Sequence, residues 1–177
     1  MIDDTNVYDL SKLKIVVADQ SQFVRRLLAA VLTGLRAPSP FTADSSDVAL
    51  RIIAETAPDL LIVDWDLQPM NGADFVRVLR DETSSPNPTL PIIMISGHCA
   101  LDRVTQARDI GANEFIAKPF TVDAIYKRLV ALIERPRPFI RLESYFGPDR
   151  RRKLEEFAGD ERRRVNPNPI MSSEDAA

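Results

Sequence analysis

The chain has 177 residues, 45% of them hydrophobic and 28% charged, the balance of a soluble globular protein. A formal charge of -3 gives no bulk electrostatic reason to expect a nucleic-acid or membrane partner, and the single cysteine, Cys99, excludes an internal disulfide framework and fits a reducing, cytoplasmic setting. The opening MIDDTNVYDLSK lacks the basic and apolar regions of a secretion signal, and no apolar run approaches the roughly 18 residues needed to span a bilayer.

Apolar runs alternate with helical patterns along the chain. Ile15–Ala18 suits a strand buried on both faces. Ser21 can cap a helix in which Val24, Leu27, Leu28, Val31, Leu32 and Leu35 recur at helical spacing, ended by Gly34 and Pro38. Phe41–Ala43 is a weak second strand. Ser45 or Ser46 can cap the next helix, which runs through Val48, Leu50, Ile52 and Ile53 and stops before Pro58. Leu60–Val63 is a third strand. Gly72–Glu82 reads as a helix with Phe75, Val76 and Leu79 inward, followed by the loop DETSSPNPTLP. Ile92–Ile95 is a fourth strand, and Ala100–Asp109 a more polar helix ended by Gly111. Phe115–Ala117 is a fifth strand. Thr121 caps a last helix with Val122, Ile125, Leu129, Leu132 and Ile133 inward, stopped by Pro136. Strands joined by single helices run parallel with right-handed crossovers, so the expected product is an α/β doubly wound sheet. Its ligand site lies beyond the carboxyl ends of the strands.

Residues 137–177 have a different character, rich in Arg, Pro, Asn and Ser. GPDRRRK (Gly147–Lys153) is echoed by GDERRRV (Gly159–Val165). The segment is too short and polar to build its own core. It reads as a tail with at most one induced helix. The arginine triplets could bind an acidic protein or RNA; a solubilising tail explains them equally well.

The carboxyl ends of the strands deliver a coherent set of groups. The first brings Asp19 and Gln20, the third Asp64 with Asp66 following, the fourth Ser96, and the fifth Lys118. Each alone has a bland explanation: a helix cap, a turn serine, a solvated lysine. Together they are the parts of a phosphate-and-magnesium site. Carboxylates and carbonyls hold Mg²⁺, and lysine and hydroxyl groups neutralise phosphoryl oxygens. A carboxylate can itself be the nucleophile, forming an acyl phosphate.

The spacing from Asp19 to Asp64, with PDLLIVDWDLQPMNG, PIIMISG and GANEFIAKPF, resembles the receiver domain of bacterial two-component response regulators. The resemblance covers about residues 13–135, leaving 136–177 as an Arg/Pro-rich tail, largely extended or disordered. It implies a flavodoxin-like (β/α)5 fold with strand order 2-1-3-4-5. Asp64 would accept a phosphoryl group from a histidine kinase or histidine phosphotransfer protein. Asp19, Gln20, Asp64 and the Asp66 carbonyl would hold Mg²⁺. Ser96 and Phe115 would be the switch pair, Lys118 would hold the phosphoryl oxygens, and Lys118-Pro119 would be cis. Output would pass to a protein partner through the face of the fourth and fifth strands and their helices. The implied protein is a cytoplasmic stand-alone response regulator, a switch or phosphorelay shuttle and not an enzyme in its own right.

The sequence departs from the family at Gln20, where a second acid is usual, and at Gln68-Pro69, where the proline stands one place late. Gln20 lacks a unit of charge, which weakens a cation site. Asp66 can partly replace that charge, or be a solvated acid. His98 can influence dephosphorylation, or be an exposed loop histidine. Three other readings stay open: a pseudo-receiver that binds partners without phosphorylation, a nucleic-acid module acting through the tail, and a phosphatase using the Asp64-Trp65-Asp66 pair.

Overall fold

The computed structural model describes residues 8–97, 101–142 and 145–150. Within them the order is β1 (Ile15–Ala18), α1 (Gln22–Gly34), β2 (Phe41–Ala43), α2 (Ser46–Thr56), β3 (Leu60–Asp64), α3 (Gly72–Arg80), β4 (Ile92–Ser96), α4 (Leu101–Asp109), β5 (Glu114–Ala117) and α5 (Val122–Glu134). A hairpin follows, β6 (Phe139–Leu142) and β7 (Tyr145–Pro148). The five parallel strands lie in the order β2-β1-β3-β4-β5. This is the doubly wound α/β sheet expected. Among the described residues, no helix is long and apolar enough to cross a membrane.

Side-chain alternation along the strands explains the two cores. Val16 and Ala18 of β1 face α2, α3 and α4, packing with Ile53, Phe75, Leu79 and Ala107. Ile15 and Val17 face α1 and α5, packing with Leu28, Leu32, Ile125 and Leu129. A strand apolar on both faces therefore reads as a continuous apolar run.

Helix starts follow local hydrogen bonding. The side chains of Ser21, Ser45, Asn71 and Thr121 each accept a backbone N–H in the first turn of their helix. The serine alternative is thus resolved in favour of Ser45. Ser46 is buried; its N–H donates to the Gln68 carbonyl at 2.9 Å and its Oγ accepts the Met70 N–H at 3.2 Å. α3 ends at Arg80, two residues before the sequence expectation, because the Asp81 carboxylate takes hydrogen bonds from Thr83 and Ser84. Such local bonding competes with helix continuation. Val122 and Ile133, expected inward, are 53% and 43% exposed. They sit at the two ends of α5, beyond the reach of the sheet.

Residues 139–148 form an antiparallel hairpin where the sequence offered only an extended tail. It docks on the amino edge of the main sheet. Arg80, only 5% exposed, donates to the carbonyls of Gly111 (3.0 Å) and Pro88 (2.8 Å) and to Asn113 Oδ1 (3.1 Å), and the Phe139 ring covers it. Burial pulls the guanidinium pKa down to about 9, which still leaves it charged at neutral pH. Gly147 lies so close that an added Cβ would be 3.2 Å from the Gly111 Cα. Arg150 stacks on Tyr145 at 4.0 Å and pairs with Asp109 at 3.6 Å. The hairpin needs no core of its own because it borrows one. The second arginine triplet, Arg162–Arg164, and His98 lie outside the described residues.

Candidate functional site

Parallel register brings the chemistry-bearing ends together. Ala18 pairs with Val63, Asp64 with Ile95, and Ser96 with Ala117. Asp19, Asp64, Ser96 and Lys118 therefore emerge along one edge. The Lys118 N–H donates to the Ser96 carbonyl at 2.7 Å, tying the last two together. Lys118-Pro119 is cis, and so is Gln68-Pro69.

The centre of the site is a three-charge contact. Lys118 Nζ donates to Asp19 Oδ2 and to Asp64 Oδ1, each at 2.7 Å. The Asp19 and Asp64 side chains are 5% and 9% exposed and that of Lys118 is 24% exposed, so two buried carboxylates meet a partly solvated lysine. Burial lifts the Asp64 carboxyl above the ordinary carboxylate range; Lys118 pulls it down, and Asp19 and Asp66 push it up. At Lys118 burial works against the charge, but hydrogen bonds to both carboxylates outweigh it and raise the ammonium pKa.

Backbone contacts hold these groups in place. The Asp19 Oδ1 accepts the Ser21 N–H at 2.8 Å. Arg25 Nη1 reaches back one turn to the carbonyls of Asp19 (2.5 Å) and Gln20 (2.9 Å). Gly72 opens α3 directly beneath the third strand's end: its N–H donates to the Trp65 carbonyl at 2.8 Å, and a Cβ there would stand 2.2 Å from the Asp64 carbonyl oxygen. Sequence reasoning did not single out Arg25 or Gly72. The signals were an arginine one turn past a capping serine and a glycine closing the loop after Asp64.

Gln20 takes a position the sequence did not foresee. Its amide Nε2 donates to the Asp66 carbonyl at 2.5 Å. That carbonyl is the oxygen expected to face a cation. Among the described residues, no three acidic, histidine or cysteine side chains converge as a metal cluster. Asp19 and Asp64 supply two carboxylates, and the exposed Asp66 side chain does not complete a third. The remaining donors still fit a hard divalent cation in kind: two carboxylates and a carbonyl oxygen, with positive charge already stabilised between the carboxylates by Lys118.

The switch residues of the expectation occupy neighbouring strands. Ser96 is fully buried at the end of β4. Phe115 on β5 is half-buried and packs against the core that faces α4. Trp65, the only tryptophan, is 7% exposed and lies under the Arg103 guanidinium of α4, 4.4 Å from its ring centroid.

Known proteins share this sequence pattern and fold. The sequence model of the response regulator receiver domain matches residues 15–130. Chemotaxis protein CheY of Pseudomonas aeruginosa is 27% identical over 123 residues, which cover 70% of this chain and 98% of that protein. The transcriptional regulatory protein KdpE of Mycobacterium tuberculosis is 33% identical over 131 residues, 74% of this chain and 55% of that one. A solved response regulator receiver domain protein from Clostridium thermocellum superposes with a TM-score of 0.61 at 28% identity, over 70% of this chain and 95% of its own. The chain belongs to the response regulator receiver domain family.

Proposed function

We propose that this protein is a phosphorylation-dependent response regulator whose phosphoacceptor is Asp64. The observation that carries the reading is the Lys118 ammonium bridging Asp19 and Asp64 at 2.7 Å on each side. In this scheme an Asp64 carboxylate oxygen attacks the phosphorus of a phosphohistidine on a kinase or phosphotransfer protein. The new O–P bond forms as the N–P bond breaks, and the imidazole leaves. Lys118, already beside Asp64, neutralises an incoming phosphoryl oxygen. Asp19, Asp64 and the Asp66 carbonyl would hold Mg²⁺, which when bound supplies charge neutralisation for the phosphoryl group. Asp19 also keeps Lys118 oriented through its own bond to Nζ. The Ser96 hydroxyl and Phe115 would then report the modified state toward α4.

Alignment over nearly the whole length of a CheY relative supports a switch or relay-shuttle role. A groove of about 380 Å³ beside α4, β5 and α5, lined in part by Val104, Phe115, Arg128 and Arg137, supports a protein partner on that face. A second reading, a pseudo-receiver acting without phosphorylation, is favoured by one observation: the Gln20 amide already sits on the Asp66 carbonyl.

Incubation with a small-molecule phosphodonor and Mg²⁺, followed by intact-mass analysis, separates the two. The leading reading expects a gain of one phosphoryl group, absent in Asp64→Asn. A folded wild-type protein that stays unmodified by donors and by kinases supports the pseudo-receiver.

A further inference from the structure

The loops after β1 and β3 meet at one point besides the Lys118 bridge. There the Gln20 amide donates its N–H to the Asp66 backbone oxygen at 2.5 Å. Arg25 fixes the donor loop from below, through the carbonyls of Asp19 and Gln20. The two loops are thus closed across the acidic pocket by neutral and cationic nitrogen: an amide on the carbonyl, an ammonium on the two carboxylates.

We propose that Gln20 acts as a built-in substitute for the divalent cation, holding the Asp66 carbonyl itself and so competing with Mg²⁺ for that oxygen instead of helping to bind it. The inference rests on the reading of this pocket as a cation site. Its physical basis is the chemistry of the amide. An N–H on a carbonyl takes one of its two lone pairs and sets a partial positive charge beside the oxygen, which opposes a cation on the same atom. A cation entering the pocket is therefore opposed by this N–H and binds best once the amide turns away. An acid at position 20 would have no N–H to place there and would add a negative ligand. The consequence is a pocket whose loops stay joined without metal and whose cation affinity is set by an internal competitor.

The test is a Mg²⁺ titration of the full chain by calorimetry, with Trp65 emission as a second readout, for wild type, Gln20→Ala, Gln20→Leu and Gln20→Asp. Removing the amide without adding charge is the discriminating change. Gln20→Ala and Gln20→Leu are expected to bind Mg²⁺ about three- to tenfold more tightly than wild type, the worth of one net hydrogen bond no longer broken. Gln20→Asp should gain more. The metal-free Ala and Leu forms should melt at lower temperature than metal-free wild type. Weaker or unchanged Mg²⁺ binding in both neutral variants overturns the proposal, since it makes Gln20 a ligand or a bystander. Absence of Mg²⁺ binding in every form, Gln20→Asp included, overturns the cation reading as well, and so separates the two failures. The leucine variant keeps the test valid where alanine leaves the loop too loose to fold.

Discussion

The Arg80 guanidinium stands 5.0 Å from the centroid of the Phe139 ring, joining the end of α3 to the first strand of the hairpin. The contact makes the C-terminal extension part of the receiver's packing. Arg80 is buried and charged, and its other partners are two carbonyls and an amide oxygen. Phe139→Ala should therefore cost about 3 kcal/mol, the low end for a buried phenyl, with loss of the cation–π contact included. Leu142→Ala, on the same strand but 40% exposed, should cost less than about 1 kcal/mol. Urea denaturation of the two variants checks the contrast, and equal effects would refute it.

Two glycines predict opposite outcomes. Gly72→Ala drives a Cβ to 2.2 Å from the Asp64 carbonyl oxygen, so backbone must move beneath Asp64. Phosphorylation of Asp64 by a small-molecule donor should slow by about tenfold or more, the scale of a misplaced reacting group. Gly34→Ala has nothing within 4 Å and lies in α1. It should stabilise the fold by about 0.5–1 kcal/mol and leave phosphorylation rates unchanged.

The Asp64 carboxylate is a source of instability in the metal-free protein. Burial raises its folded pKa, so the folded state holds this proton more tightly than the unfolded chain does. That favours the fold below the ordinary carboxylate pKa, and the advantage is lost as pH rises through the higher folded pKa. In EDTA at neutral pH, Asp64→Asn should melt roughly 2–4 °C higher, the shift produced by about 1 kcal/mol in a domain of this size. As pH falls toward about 4, the ordinary carboxylate pKa, the difference should shrink as wild-type Asp64 protonates, and below it the difference should be largely gone. Calorimetric scans across pH read both effects.

Lys118 carries the opposite sign. Lys118→Met leaves two buried carboxylates with no shared cation, and should destabilise by about 3 kcal/mol. Adding Asp64→Asn should recover part of that loss, because only one buried carboxylate then remains. A double-mutant cycle measures the coupling; simple additivity would show that the three charges do not act as a unit.

The legible parts of this molecule are those whose cause is local. Leu60–Val63 and Ile92–Ile95 read as strands because both of their faces are buried. Ser21 and Thr121 read as caps because their hydroxyls answer N–H groups three residues on. Asp19, Asp64, Ser96 and Lys118 were legible because a parallel sheet sends every strand end to one edge. The hairpin was not, since what orders it lies far off in sequence, at Arg80 and Gly111. Arg80 itself reads as a solvated arginine until Phe139 is seen over it. At Gln20 the residue type was plain, but whether it would offer its oxygen to a cation or its N–H to the Asp66 carbonyl depended on how the side chain turned.

The docked hairpin also fixes where residue 150 lies. Arg150 hydrogen-bonds the Asp109 carbonyl at 3.1 Å, at the amino edge of the sheet, while Asp64 opens at the carboxyl edge. A dye attached at residue 150 itself would therefore sit on the side of the sheet remote from Asp64. Tethering the protein through an Arg150→Cys thiol would leave the Asp64 edge facing solution.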